Sequence, residues 1–246
     1  MCTHCYSSSS KQTPHIQRRS MLQLSAASVI SLALGDAVAA KETKAPLKPQ
    51  NVLSPDAALA RLMAGNARYV DGLSARHDFK HEREALAGGQ NPFAAVLGCA
   101  DSRIAPEYAF DAARGDLFVG RVAGNFASEE IIASLEYAVS VLATPLILVL
   151  GHDACGAVDA TIKSLKDGTT LPGHLPSLVN AIGPSVKAVS EQTGNMLDNA
   201  IRQNVIDTVA KLKSIAPILD AAVQQQKLKV VGGIYRLRDG KVEMVA

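Results

Sequence analysis

The hydrophobic residues of this chain form short uninterrupted runs and longer stretches at helical spacing. The uninterrupted runs are FAAVLG before Cys99 and LILVLG before His152, and DLFVGRVAG around Arg121 is a further strand candidate. Runs of this length between turn-forming residues are typical of strands that are buried on both faces. Helical stretches separate these runs, so the pattern predicts an α/β fold with a mostly parallel central β-sheet flanked by helices.

Capping residues mark where the predicted helices begin. Ser54-Pro55-Asp56 opens a helix through AALARLMAGNARYV, and Ser128 opens one through EEIIASLEYAVSVL. HEREALAGG predicts a short helix that its two glycines close. The C-terminal third is predicted to be helical, most clearly in NMLDNAIRQNVIDTVAKLKSI, and to end in a β-hairpin with Asp239-Gly240 at its turn.

The N-terminus has the three parts of an export signal. Its polar start carries Arg18 and Arg19, an apolar stretch covers residues 21–34, and the small residues Ala37-Val38-Ala39 follow. The paired arginines resemble the twin-arginine type of signal, and an N-terminal membrane anchor is the alternative. We therefore predict that the mature protein is periplasmic or otherwise exported.

This interpretation divides the chain into three segments. Residues 1–40 are predicted to be a signal peptide that is removed. Residues 41–53, within the Pro- and Lys-rich stretch KETKAPLKPQNVLSP, are predicted to be an extended arm or linker. Residues 54–246 are predicted to form one domain.

Composition narrows the partners of the mature chain. The formal net charge is +2, aromatic residues make up 4% and there is no Trp, so no nucleic-acid surface is indicated. Without the signal peptide, the chain is close to neutral. We predict no stable membrane insertion of the mature protein. Cys2 and Cys5, in the CTHC at the start, fall in the removed segment, so Cys99 and Cys155 are the mature cysteines.

Three potential metal ligands follow two of the predicted strands. Cys99 comes directly after the first apolar run, and His152 and Cys155 come after LILVLG. The carboxyl ends of parallel strands meet at one edge of a sheet, so these side chains are expected to lie together. Two thiolates and one imidazole suit Zn²⁺ and leave a fourth position for water or an exchangeable group. A disulfide between the two cysteines is the alternative at this point.

Charged residues close to Cys99 suggest a reactive site. If the chain stays extended after Cys99, Asp101 and Arg103 face the same way as the thiol. Asp101 then either binds the metal or accepts a hydrogen bond from its water, and Arg103 orients this carboxylate. Gly156 is expected to let the backbone leave the crowded site. The other mature histidines are predicted to be solvated rather than ligands; they are His77, His81 and His174.

Four motifs resemble the β-class carbonic anhydrases. They are CADSR at 99–103, GDLFVGRVAGN at 115–125, SLEYAV at 134–139 and LGHDACGAV at 150–158. The resemblance implies zinc as cofactor, reversible hydration of carbon dioxide to bicarbonate and a proton, and a homodimer or tetramer. It implies that the zinc ligands are Cys99, His152 and Cys155, and that the catalytic pair is Asp101 and Arg103.

The resemblance assigns further residues around the site. Gln90 matches a glutamine that donates a hydrogen bond to substrate across a dimer interface in one subgroup. Val96 stands where the bicarbonate-regulated subgroup has Trp, which implies the open form with Asp101 paired to Arg103. Asp153 departs from the usual Ser or Thr without removing a ligand. Phe126 and Tyr137 are candidates for an apolar cleft wall.

Three other functions are compatible with parts of the pattern. A related zinc hydrolase of carbonyl sulfide or carbon disulfide would share the same motifs. An exported protein that only binds zinc has no need of Asp101 and Arg103. A dithiol redox protein is disfavoured because the mature cysteines are far apart in sequence and form no C-x-x-C motif.

Overall fold

The structure, a computed structural model, describes residues 48–246. A 3-10 turn at Pro49–Asn51 comes before eight α-helices and five β-strands in this range. The helices are α1 (Pro55–Val70), α2 (Phe79–Leu86), α3 (Pro106–Ala109), α4 (Glu129–Ser140), α5 (Gly156–Asp167), α6 (Pro176–Ala188), α7 (Met196–Ser214) and α8 (Leu219–Gln224). The strands are β1 (Ala94–Gly98), β2 (Leu117–Arg121), β3 (Leu146–His152), β4 (Lys229–Tyr235) and β5 (Val242–Met244).

The five strands form one sheet in the order β2-β1-β3-β4-β5. The first four are parallel, and β5 pairs antiparallel with β4 to complete the C-terminal hairpin. Gly98 at the end of β1 pairs with Leu150 near the end of β3. The predicted α/β fold and the terminal hairpin are therefore confirmed.

Side-chain caps start the helices that the sequence predicts most clearly. The Ser54 hydroxyl accepts the backbone N–H of Ala57 at the start of α1. Asn195 accepts the N–H of Asp198 at the start of α7 in the same way. Each cap gives a partner to an amide that has none within its own helix, which defines where the helix begins.

Hydrophobic cores cover both faces of the sheet, because the side chains of a strand point alternately to its two sides. Helices α4 to α8 contribute to the larger core, and α1 and α3 contribute to the smaller one. On β1 and β3, the larger core takes Ala95, Leu97, Ile147 and Val149, and the smaller core takes Ala94, Val96, Leu146, Leu148 and Leu150. Both strands are buried along their whole length, as their uninterrupted apolar runs predicted.

Asn66 connects α1 to two distant parts of the chain. Its side chain is buried, and its Nδ2 donates to the carbonyls of Ala109 at 2.9 Å and Gly240 at 2.8 Å. Its Oδ1 accepts the N–H of Val242 at 2.9 Å. One amide therefore holds α1, the end of α3 and the hairpin together.

Residues 48–53, predicted as the end of an arm, pack against the domain. The buried carboxylate of Asp116 lies within 3.2 Å of Lys48 Nζ and of an Arg61 guanidinium nitrogen. The same carboxylate accepts a hydrogen bond from Asn51 at 3.0 Å. The predicted signal peptide, Cys2 and Cys5, and residues 41–47 of the arm lie outside the described residues. Among residues 48–246, no helix is both long and apolar enough to cross a membrane.

Candidate active site

Cys99, His152 and Cys155 come together at the carboxyl edge of the sheet. Their Sγ and imidazole nitrogen atoms all lie within 4.8 Å of one another, and this is the one such group in the described part of the chain. Their residues are 5%, 0% and 1% exposed. Both cysteines are free thiols, so the structure contains the cluster and not the alternative disulfide.

The sheet and one tight turn bring these side chains together. Cys99 directly follows β1, whereas His152 is the last residue of β3. A turn at Asp153 and Ala154 then returns the chain, so that Cys155 stands at the start of α5. Ala154 has a left-handed backbone with φ of 51°. Gly156 begins α5, but the expected crowding is not found there, because a Cβ would meet nothing within 4 Å in the described part of the chain.

Backbone groups orient two of the three ligands. The N–H of Gly124 lies 3.3 Å from Cys99 Sγ, to which it donates. His152 Nδ1 lies 2.8 Å from the carbonyl oxygen of Asp153, so the Nδ1–H donates there and the lone pair is on Nε2. This Nε2 is buried without a hydrogen-bond partner in the described chain. An unpartnered nitrogen facing two sulfur atoms fits a tetrahedral zinc ion.

The contact between the two thiols makes Cys99 more acidic and Cys155 less acidic. The neighbouring Cys155 thiol lowers the pKa of Cys99 to about 4, although burial acts in the opposite direction. The same contact, together with burial, raises the pKa of Cys155. Since the thiolate is the form that binds a metal, the lowered pKa of Cys99 favours its metal-binding form.

Asp101 and Arg103 form a closed ion pair next to this cluster. Arg103 donates from its backbone N–H and from Nε to Asp101 Oδ1, both at 2.9 Å, and from its Nη2 to Oδ2 at 2.7 Å. The Arg103 guanidinium holds the pKa of Asp101 well below its usual range. Asp101 Oδ2 lies 3.9 Å from His152 Nε2. The carboxylate therefore stands ionised beside the candidate metal position.

The backbone around this pair differs from the prediction. An extended chain was expected to align residues 99, 101 and 103, but the N–H of Ile104 donates to the Asp101 carbonyl at 3.3 Å and closes a turn. Because of this turn, the backbone N–H of Arg103 reaches the Asp101 carboxylate, which the Arg103 side chain also binds. Arg103 also donates to the carbonyl of Ala154 at 3.2 Å, so it connects the two ligand loops.

Arg121 is a residue that the sequence analysis did not assign. It ends β2 at the same edge of the sheet, and its Nε donates to the carbonyl of Cys99 at 2.8 Å. Its Nη2 donates to the carbonyl of Asp101 at 2.6 Å. The signal was a charged residue at the end of an apolar strand, where it shares an edge with Cys99.

The resemblance also assigned Gln90, Phe126 and Tyr137, which occupy different parts of the fold. Gln90 is exposed and precedes β1, so the strand, on the order of 13 Å long, separates it from Cys99. Phe126 packs on the larger core. Tyr137 is 47% exposed, and its ring packs against that of Phe118 with 6.4 Å between the centroids.

Comparisons with known proteins agree on one family. A family model described as carbonic anhydrase matches residues 94–242. Carbonic anhydrase 2 of Mycobacterium tuberculosis is 40% identical over 190 residues, which cover 76% of this chain and 91% of that protein. The carbonic anhydrase of Mycolicibacterium smegmatis is 40% identical over 192 residues, which cover 78% of this chain and 93% of that protein.

A solved structure shares the fold over a similar span. It is the β-carbonic anhydrase of Coccomyxa in complex with acetazolamide, which is 28% identical to this chain. The superposition covers 76% of this chain and 86% of that one, with a TM-score of 0.59. The matched sequence region, 94–242, contains the cysteine and histidine cluster and the Asp101–Arg103 pair.

Proposed function

Since the chain belongs to the carbonic anhydrase family, in its β class, we propose that Cys99, His152 and Cys155 hold the zinc ion of its active site. The protein is a lyase that hydrates carbon dioxide reversibly to bicarbonate and a proton. The observation that supports this assignment of ligands is the unpartnered, buried His152 Nε2 among two free thiols. Bound zinc supplies a Lewis acid that makes a water molecule acidic enough to lose a proton near neutral pH.

Asp101 acts as a hydrogen-bond acceptor that orients the attacking water. Its Oδ1 already accepts two hydrogen bonds from Arg103, whereas its Oδ2 accepts one. The oxygen with a lone pair to spare is therefore Oδ2, which is also the one that faces His152. Because the pKa of Asp101 is well below its usual range, the carboxylate stays an acceptor at neutral pH and does not act as the acid.

Arg103 and Arg121 position the groups that act on the substrate. Arg103 binds both oxygens of Asp101 and so fixes the orientation of the carboxylate and the direction of its free lone pair. Arg121 binds the carbonyls on both sides of Ala100 and so fixes the backbone that carries the thiolate and the carboxylate. Neither arginine needs to touch carbon dioxide for this role.

Gln90 acts in the site of a partner subunit. It is too far from Cys99 to serve its own chain, and it is exposed. A twofold dimer offers the same surface of each chain to the other, so two glutamines would complete two sites. Tyr137 is exposed in the single chain and packs against Phe118 of the edge strand β2, which supports a subunit contact on this surface. A homodimer is the smallest complete unit in this proposal, and a tetramer is compatible with it.

Mixing two inactive variants tests this arrangement. Gln90→Leu dimers and Cys99→Ala dimers are each expected to be nearly inactive. After the subunits exchange, the mixed dimer has one site with intact ligands and an intact partner glutamine. Carbon dioxide hydration should therefore return on mixing. If Gln90 acted within its own chain, the mixture would remain inactive.

The proposed export rests on the N-terminal sequence. Arg18 and Arg19, the apolar stretch and the small residues after it support a twin-arginine signal over residues 1–40. The double replacement of both arginines by Lys should keep the protein inside the cell and leave its activity unchanged. Equal export of this variant would contradict the twin-arginine assignment.

Stopped-flow hydration with metal analysis tests the assigned site. The mature protein should contain one zinc per chain, and Asp101→Asn should keep the zinc while losing about 10- to 100-fold in rate. Asp159→Asn, on the exposed side of α5, is the control and should change neither value. Carbonyl sulfide in place of carbon dioxide measures the competing hydrolase activity. If the wild-type protein contained zinc but did not hydrate carbon dioxide, the assigned mechanism would be refuted.

A further inference from the structure

His152 owes its orientation to one backbone carbonyl. The ring is fully buried, and its Nδ1–H donates to the carbonyl of Asp153 at 2.8 Å. If this carbonyl turned away, the ring would lose the bond that fixes its tautomer and its rotation. The peptide between Asp153 and Ala154, which carries this carbonyl, is therefore part of the metal centre, although it provides no ligand.

The backbone conformation of this turn is not enough to keep the Asp153 carbonyl directed at His152. Ala154, the next residue, has φ of 51°, and a left-handed backbone is unfavourable for a residue with a Cβ. A conformation of this kind persists only where neighbouring groups enforce it. Contacts from outside the turn must therefore hold the carbonyl of Asp153 towards the ring.

Two contacts from the start of the C-terminal hairpin provide this restraint. The N–H of Asp153 donates to the carbonyl of Tyr235 at 3.2 Å, which continues the pairing of β3 with β4. The Asp153 carboxylate accepts the N–H of Leu237 at 2.9 Å through its Oδ1. The second contact depends on the side chain of Asp153, whereas the first involves only the backbone.

We propose that Asp153 is a positioning residue for the metal centre. Its carboxylate binds the Leu237 amide and thereby keeps the Asp153 carbonyl on His152 Nδ1, so that Nε2 faces the two cysteines. The hydrogen bond performs this role, and the negative charge does not. The inference rests on the proposed assignment of His152 as a zinc ligand.

Substitutions at Asp153 separate the hydrogen bond from the charge. Asp153→Asn keeps an oxygen that can accept the Leu237 amide and removes the charge, whereas Asp153→Ala removes both. Asp239→Ala is the matched control, because Asp239 also accepts a backbone amide, that of Lys241 at 3.0 Å, in the same hairpin. The control therefore disturbs the hairpin without touching the ligand loop.

Competition with a chromophoric chelator gives the zinc dissociation constant of each variant. Asp153→Ala should weaken zinc binding about 10-fold, whereas Asp153→Asn and Asp239→Ala should stay within about 3-fold of the wild type. Cobalt substitution provides a second readout, because the visible absorption of Co²⁺ reports ligand geometry. Asp153→Ala should change that spectrum, and the other two variants should not.

Each possible failure has a separate meaning. If the wild type binds no zinc, the proposed ligand set fails first. If the wild type binds zinc and Asp153→Ala binds it equally well with the same cobalt spectrum, the positioning role is refuted. If Asp153→Asn loses as much affinity as Asp153→Ala, the hydrogen bond is not the cause. Should Asp153→Ala not fold, Leu237→Pro removes the donor of the same bond and should weaken zinc binding to a similar extent.

Discussion

Replacing Asn66 by Ala should be among the most damaging single changes outside the active site. Its amide satisfies the carbonyls of Ala109 and Gly240 and the N–H of Val242, and Asn66 itself is 3% exposed. Each buried backbone group left without a partner costs about 1–3 kcal/mol. Three such groups give a loss of at least about 3 kcal/mol, a large part of the 5–15 kcal/mol typical of folded proteins.

Equilibrium urea denaturation at fixed zinc concentration measures this loss. In thermal unfolding, a loss of about 3 kcal/mol lowers the melting temperature of a chain of this size by about 6–12 °C. Asn180→Ala is the control, because Asn180 lies in the middle of α6 with an exposed side chain. It should change the free energy of unfolding by less than about 1 kcal/mol. If both variants lost the same small amount, the three hydrogen bonds of Asn66 would not carry the stability assigned to them.

Three further predictions concern the backbone and one ion pair. Gly65→Ala places a Cβ 1.9 Å from the Phe110 carbonyl oxygen, so it should destabilise the protein by about 1–3 kcal/mol in urea denaturation. Ala154→Gly relieves a left-handed φ of 51° and should raise the melting temperature slightly without changing the zinc content. Burial of Asp111 acts to raise the pKa of its carboxyl, but the Arg68 guanidinium lowers it below its usual range. This ion pair therefore stabilises the fold above the pKa of the unfolded carboxyl and stops doing so as the pH falls through the folded pKa. Urea denaturation between about pH 5 and pH 2 should show a smaller loss of stability for Asp111→Asn than for the wild type; equal pH dependence would contradict this.

The elements that repeat a simple pattern could be predicted from the sequence. LILVLG and FAAVLG are strands because uninterrupted apolar runs require burial on both faces. The proximity of Cys99 to His152 and Cys155 followed from the same prediction, since parallel strands place their carboxyl ends at one edge. Local rules of burial and direction were enough for both.

Features that do not follow from burial or strand direction could not be predicted. The turn after Asp101 forms because an amide and a guanidinium of Arg103 both reach one carboxylate, and alternation alone suggested an extended chain. Arg121 contacts a segment some twenty residues away, so no motif of adjacent residues marks its partners. The left-handed backbone at Ala154 could not be predicted either, because glycine is the residue that usually adopts it.

The pairing of Gly98 with Leu150 makes a complete set of metal donors depend on the pairing of β1 with β3. Cys99 meets the other two donors only after β1 and β3 have found each other, so a nascent chain ending before β3 has no complete set of ligands. The time course of zinc binding would therefore report when β1 and β3 have paired. A fragment that lacks either strand should compete poorly for the ion, however well its separate helices form.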